Sequence, residues 1–269
     1  MSVGRPPVAD PPAGVDADAA ARRYWDTHVH DDAMSSAPIG SRQFFEDLDR
    51  YRFEKLEYLP HLVDVAAHCG RRLLEVGCGI GIDLARFARH GAVVTAIDLS
   101  PRQVDLARAN LEWRGLPGDL RVMNGERMDF ADGSFDVAYA HGVLQYTRDP
   151  HAMLREIHRV LRPGGEAILM VYNRHSWLRL LSIVAGVDLE HERAPYFRLH
   201  ALGEFRRLLA GFSRVDIVPE RFPVRSRLHR GLKATVYNGA FVGLFNALPR
   251  RLVRPLGWHL VARAVKGAP

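Results

Sequence analysis

The chain is 269 residues long, 47% hydrophobic, with two cysteines and a formal net charge of +6. That length can bury one substantial core with decorations on it, while two cysteines provide neither a disulfide framework nor a metal-ligand spacing. No window is apolar over the length of a membrane span and the Pro- and Ala-rich start carries no signal-peptide core, so a cytoplasmic protein is expected.

Residues 1–18 lack periodicity and are expected to be disordered. Residues 19–70 read as an N-terminal helical lid. It opens on Tyr24, Trp25, His28 and His30, aromatic groups suited to covering a ligand. The two histidines stand beside aspartates, but no further His or Cys lies at a recognised ligand spacing, so no metal is expected. An amphipathic helix is predicted from Arg42 to Cys69 with a break near Pro60, carrying Tyr51 and Arg52 within reach of an anionic group.

From Arg71 onward, strands and helices alternate. Leu73–Val76 is a buried strand, followed by the loop Gly77-Cys78-Gly79-Ile80-Gly81 and a helix from Ile82 to His90. A second strand ends at Asp98, and Ser100-Pro101-Arg102-Gln103 starts the next helix as a capping box with proline at its first position. Further strands are predicted near Leu120–Met123, Phe135–Ala140 and Glu166–Tyr172, with a helix capped at Asp149-Pro150 between the last two. Helices near Ser176–Ala185 and Leu202–Leu209, a strand near Val215–Val218, a basic insertion at about 221–257 and a strand over Trp258–Val265 complete the pattern. The expected fold is α/β: a doubly wound, mostly parallel seven-stranded sheet, with ligands outside the carboxyl ends of its strands.

The glycine loop does not fit the dinucleotide fingerprint, because the third glycine position, counted from Gly77, is Ile82. Glu75 stands just before it. A pyrophosphate would be repelled by that carboxylate, whereas a ligand carrying an ammonium and a sulfonium would be attracted. The pattern favours S-adenosylmethionine over a nicotinamide dinucleotide.

Four further stretches follow in order: Ile97-Asp98-Leu99-Ser100, Gly125-Glu126-Arg127-Met128, Ser134-Phe135-Asp136 and Arg159-Val160-Leu161-Arg162-Pro163-Gly164-Gly165. With them, Leu73 to Val171 resembles the class I S-adenosylmethionine-dependent methyltransferases, in the branch of ubiquinone- and menaquinone-type small-molecule methylases. The resemblance implies a Rossmann-like methyltransferase domain over 71–269. It places the backbone of Gly77, Cys78, Gly79 and Gly81, beside Glu75, against the methionine part of the cofactor. Asp98 would accept from both ribose hydroxyls, Leu99 would pack on the adenine, Gly125, Glu126 and Arg127 would lie on the adenine side, and His141 and Gly142 would flank the methionine moiety. Glu126 departs from the aspartate that the family often has there.

Methyl transfer to a hydroxyl needs alignment and a base, for which histidine suits neutral pH. Candidates for that base are His141, Tyr146, His28, His30, His175 and His191, of which His141 has the best topological position; Tyr24, Trp25, His28, Gln145 and His175 are candidates for contacting the acceptor. No Asp-His-Asp metal cluster can be assembled and the Asn-Pro-Pro-Tyr motif of many amino-group methylases is absent, which points away from nucleic acid as partner. The expected acceptor is a small apolar or aromatic molecule methylated on oxygen, with sulfur and carbon as alternatives. Two other readings are an RNA methyltransferase using the basic C-terminal lobe and a non-catalytic cofactor-binding accessory protein. The apolar residues at Tyr237–Val253 read first as a cover over the pocket and second as a peripheral contact with the inner membrane face.

Overall fold

The computed structural model describes residues 17–224 and 236–268. Seven strands, β1 (Arg72–Val76), β2 (Val93–Asp98), β3 (Asp119–Val122), β4 (Phe135–His141), β5 (Leu161–Tyr172), β6 (Arg214–Glu220) and β7 (His259–Val265), form one sheet. Their spatial order is β3-β2-β1-β4-β5-β7-β6. The first five are parallel, and β7 runs antiparallel to both β5 and β6. The expected architecture is therefore the observed one.

Both faces of the central strands are covered, which explains their near-continuous apolar runs. The two-residue period divides them between two cores. Leu73, Val137, Tyr139, Ile168 and Met170 face one side; Leu74, Val76, Ala138, Ala140 and Leu169 face the other. The crossover helices are α4 (Ile82–Arg89), α5 (Pro101–Trp113) and α6 (Pro150–Val160). The Ser100 hydroxyl accepts from Gln103 N–H at 3.1 Å at the start of α5, and the Asp149 carboxylate accepts from Ala152 N–H at 3.0 Å at the start of α6.

Three boundaries differ from those the sequence predicts. Residues 17 and 18 belong to helix α1 (Ala17–Thr27), not to a disordered start; the rest of that start lies outside the described residues. The long N-terminal helix stops earlier than expected: α2 (Arg42–Lys55) ends where Leu56 leaves helical geometry, and Pro60 initiates the short α3 (Leu59–Leu62) instead of breaking a helix. Strand β5 begins at Leu161 because Leu161 pairs with Phe135 before a register shift that Arg162–Gly165 absorbs.

After β5 come α7 (Trp177–Ala185) and α8 (Leu202–Leu208). The described part of the insertion forms a π-helical turn (Val236–Phe241), α9 (Val242–Ala247) and α10 (Arg250–Val253). It packs on α7 through Trp177, Phe222, Phe245 and Val253. Residues 225–235, within the predicted insertion, lie outside the described residues.

Candidate active site

A cavity of about 230 Å³ lies at the carboxyl ends of β1, β2, β4 and β5, roofed by α1 and α2. The lid is fastened over it by α5: Gln103 Nε2 donates to the Trp25 and His28 carbonyls, both at 2.9 Å. Asn124 Nδ2 donates to Asp18 Oδ2 at 2.9 Å and ties the start of α1 to the loop after β3.

One end is built by the glycine loop. Gly77 has φ +70°, and a Cβ there would meet Val143 Cγ2 at 2.5 Å, so only glycine lets this backbone pass and face the cavity. Asp98, at the end of β2, reaches across the loop: Oδ2 accepts from Gly79 N–H at 3.0 Å and Oδ1 from Ser100 N–H at 3.0 Å. Burial raises its carboxyl while these N–H donors oppose the rise. Glu75 is buried, and its Oε2 has no hydrogen-bond partner. Burial first, then Asp83, pushes that carboxyl well above the usual range. An ammonium set against Glu75 would supply the missing donor and favour the ionised form. A buried acid oxygen without a partner, a glycine-rich loop and a carboxylate at the end of the neighbouring strand fit S-adenosylmethionine, whose methionine part would meet Glu75 and Gly77–Gly79 and whose ribose would meet Asp98.

The adenine-side loop is less free than the motif suggested. Glu126 Oε1 already accepts from Asp149 N–H at 3.1 Å, joining this loop to the start of α6. Arg127 is exposed and its N–H bonds the Asn124 carbonyl.

The other end holds a buried polar network. Arg52 on α2 clamps Asp83 on α4, with Nε to Oδ1 at 2.6 Å and a second bond from Nη2 to Oδ2. The Tyr139 hydroxyl donates to the same acid at 2.7 Å. Arg52 Nη2 also donates to His141 Nδ1 at 3.2 Å. Since Arg52 can only donate, His141 Nδ1 accepts and Nε2–H donates onward to the Tyr58 hydroxyl at 2.9 Å. By the same logic Arg221 Nη1 donates to His259 Nε2 at 3.1 Å, and His259 Nδ1–H donates to Tyr58 at 2.6 Å. Burial, then Arg52, lowers His141 to about 3; burial, then Arg221, holds His259 well below the ordinary histidine range.

Of the residues singled out from sequence, Trp25, Glu75, Gly77, Cys78, Gly79, Asp98, Leu99, Gly125, Glu126, His141, Gly142 and Tyr146 line this cavity. Gly81 caps α4 behind the loop. Tyr24 and His28 stack on each other at 4.0 Å outside the cavity wall, His175 is exposed, and Gln145 is fully buried behind it. Sequence reasoning missed Asp31, Lys55, Asp83, Tyr172, Glu190, Arg221 and His259, all cavity-lining. Lys55, among Arg52, Glu54 and Glu57, and Arg221, beside Glu220, gave no signal that set them apart from a solvated face.

The buried neutral histidines have a consequence for stability. His141, His200 and His259 are held low, His200 to about 4 by burial. A depressed folded pKa contributes stability above the unfolded value, about 6.5, that is lost as pH falls toward the folded one. Each histidine adds a slope of up to about 1.4 kcal/mol per pH unit in that window. Glu75 and Asp98, raised by burial, take up protons in the folded state as pH falls and oppose this loss, but the lowered histidines outnumber them. The melting temperature of ligand-free protein is expected to fall between pH 7 and pH 5 in calorimetry; a rising midpoint would show that these rings are not neutral.

Fold and cavity together define a methyltransferase-type S-adenosylmethionine site. A family model described as a methyltransferase domain matches residues 74–169. The ubiquinone biosynthesis O-methyltransferase of Xanthomonas euvesicatoria pv. vesicatoria (strain 85-10) is 34% identical over 169 residues, 62% of this chain and 64% of that protein. This chain thus spans under two thirds of the Xanthomonas relative. Its Pseudomonas aeruginosa (strain LESB58) counterpart is 30% identical over 161 residues, 57% of this chain and 69% of that protein. The geranyl diphosphate C-methyltransferase of Streptomyces coelicolor A3(2), solved with Mg2+, geranyl diphosphate and S-adenosyl-L-homocysteine, shares the fold: TM-score 0.59, 18% identity, 96% of this chain and 100% of that one. The chain belongs to the class I S-adenosylmethionine-dependent methyltransferases, in the ubiquinone-type branch.

Proposed function

We propose that the protein transfers a methyl group from S-adenosylmethionine to a hydroxyl oxygen of a small, largely apolar or aromatic molecule. The observation that carries this reading is the roofed cavity, in which Trp25, Tyr146 and Tyr172 wall the space beyond the glycine loop. A roofed, partly open space of that size suits a small ring better than a polymer, and the relatives named as O-methyltransferases support oxygen as the acceptor atom. A roofed cavity gives RNA no open groove to the cofactor, and Arg221 of the basic C-terminal lobe is engaged by Glu190 and His259.

When bound, S-adenosylmethionine supplies a methyl carbon already activated by its sulfonium. The chain's task is then orientation and exclusion of water. Glu75 and Asp98 fix the donor's two ends, and Trp25 and Tyr146 close the wall. His141, with both nitrogens engaged, positions the loop after β4. The Tyr146 hydroxyl donates to the Glu190 carbonyl at 3.1 Å and positions the acceptor wall in the same way. S-adenosylmethionine at 100 times its dissociation constant is expected to add about 2.7 kcal/mol of stability, and labelled cofactor should pass its methyl to a phenol more readily than to a thiol. A melting temperature that ignores the cofactor but responds to a nicotinamide dinucleotide would overturn the reading.

The acceptor reading includes a peripheral membrane contact. Among the described residues, no helix is long and apolar enough to cross a membrane. Yet on α7 Leu180, Ile183 and Val184 are 60%, 64% and 75% exposed, and on and after α9 Leu244 and Leu252 are 70% and 63% exposed. Arg251 and Arg254 are exposed beside them, and from Arg221 to the end the sequence has no acid. An apolar face with a basic rim suits an anionic bilayer surface. Cosedimentation with phosphatidylglycerol vesicles is expected, falling severalfold in Ile183→Ser/Leu244→Ser; equal binding by that variant would remove the contact.

A further inference from the structure

The acceptor end of the cavity holds a lysine ammonium, paired with two carboxylates, for which neither the methyltransferase motifs nor the cofactor has a use. Lys55 Nζ lies 2.8 Å from each Asp31 oxygen, 3.1 Å from Glu190 Oε1 and 3.2 Å from His30 Nε2. An ammonium has three protons, so four acceptor atoms compete for them. The longest contact, to His30, is the one an incoming hydroxyl can most readily replace. Because Lys55 donates to Nε2, the neutral His30 ring carries its proton on Nδ1 and donates to His191 Nε2 at 2.8 Å. His191 Nδ1–H in turn meets the Tyr24 hydroxyl at 3.1 Å. These contacts form a directed chain from the cavity to the half-buried lid.

Backbone conformation sets the same end apart. Among the described residues, the non-glycine residues with positive φ are Asp31 (61°), His191 (50°), Tyr196 (64°) and Arg221 (60°). Three of them line the cavity here and His191 touches His30. Such conformations are disfavoured for residues with a side chain and persist where the surroundings enforce them, most often at functional sites.

We propose that Lys55 holds the oxygen of the acceptor's hydroxyl group and that His30 Nε2 takes its proton as the oxygen–methyl bond forms. The proposal rests on the methyl-transfer reading above. The acceptor's O–H bond breaks with its proton passing to His30; its oxygen gains the bond to the methyl carbon; the cofactor's C–S bond breaks with the electron pair left on sulfur. The proton then leaves through His191 and Tyr24. Burial, with Lys55 adding to it, lowers His30 to about 4 against the pull of Asp31 and Glu190, so the ring is neutral and can accept. Its side chain keeps 36% of its surface open. Once protonated it would face Asp31 Oδ2 at 3.3 Å and Glu190 Oε2 at 3.7 Å, opposed by Lys55 and His191. Arg221, with Nη2 on Glu190 Oε1 at 2.7 Å, holds that acid in place. The acceptor class is a hydroxylated aromatic, its hydroxyl on Lys55 and its ring against Trp25 and Tyr172.

The test uses 4-nitrophenol, whose phenolate is coloured, with full-length protein and S-adenosylhomocysteine. Binding of S-adenosylhomocysteine alone, read by thermal shift, checks the methyltransferase reading separately. With Asp31 and Glu190 opposing Lys55, the bound phenol is expected to ionise about 1–3 pH units lower than it does in Lys55→Met, the difference that an adjacent cation makes. Lys55→Arg should keep that lower value. Nitrogen NMR of labelled histidine should show His30 turning from neutral to imidazolium when the phenol binds. If S-adenosylhomocysteine binds but the phenol does not bind, ionises no lower than in Lys55→Met, or leaves His30 neutral, the proposal is overturned while the family reading stands. Should Lys55→Met not fold, His30→Gln decides: it must retain the bound phenol yet lose most methyl transfer from S-adenosylmethionine to unsubstituted phenol, whose hydroxyl stays protonated at neutral pH, and unchanged transfer overturns the proposal.

Discussion

Asp83→Ala is expected to lower the stability of the protein by about 3 kcal/mol, because it removes the buried partner of a largely covered guanidinium. Asp83 is 5% exposed and receives two bonds from Arg52 and one from Tyr139. Burial by itself would raise this acid; the charge of Arg52 outweighs that and brings it below the usual range. Without Asp83, Arg52 keeps only its bond to His141, and the Tyr139 hydroxyl loses its acceptor. At about 2–4 °C per kcal/mol for a chain near this size, the melting temperature should fall by roughly 6–12 °C. The double variant Arg52→Met/Asp83→Leu should recover much of the loss, since apolar groups of similar volume often replace a buried pair without cost. A double-mutant cycle by denaturant unfolding measures the coupling. A single-variant loss below about 1 kcal/mol would show that the pair is solvated and not a buried clamp.

Asp98→Ala is expected to weaken S-adenosylhomocysteine binding by about a hundredfold or more. Two hydrogen bonds from ribose hydroxyls to a charged acceptor are worth about 1.5–3 kcal/mol each. The same carboxylate holds the Gly79 and Ser100 N–H groups, so the substitution also frees the glycine loop. Asp98→Asn separates the two effects. It retains one carbonyl oxygen for the loop but removes the charge, and its loss of affinity should be smaller than that of alanine. Titration calorimetry with folded variants, their structure checked by circular dichroism, provides the measurement. Unchanged affinity in Asp98→Ala would mean that the ribose lies elsewhere in the cavity.

These two acids were unequally visible beforehand. Asp98 could be read from sequence because consecutive parallel strands linked by one helix lie side by side: Val76 pairs with Ile97 across β1 and β2. The residues that follow paired strand ends must converge, so Gly77–Gly81 and Asp98 meet by topology alone. Glu75 was legible for a chemical reason, an acid in a position where a phosphate ligand would be repelled. Asp83 was not legible, because an acid in the first turn of a helix reads equally well as a complement to the helix dipole. Only the packing of α2 on α4 brings Arg52 against it. His141 shows the same limit, since topology put it in the cavity but not that Arg52 and Tyr58 would engage both its nitrogens. His28 and His175 were attractive by residue type, and the fold turns both away from the cavity.

By itself, then, the sequence determined the mostly parallel sheet, its alternation of strands and crossover helices and where a donor-binding end is to be expected, because those depend on short-range periodicity and on glycine and acid at neighbouring strand ends. The tertiary structure alone decided the acceptor end. Asp31, Lys55, Glu190, Arg221 and His259 come from five separate segments of the chain, joined by contacts such as Lys55 to Glu190 at 3.1 Å and Arg221 to Glu190 at 2.7 Å. A buried charge is tolerable only beside its partner, and no local pattern records which distant residue that partner is.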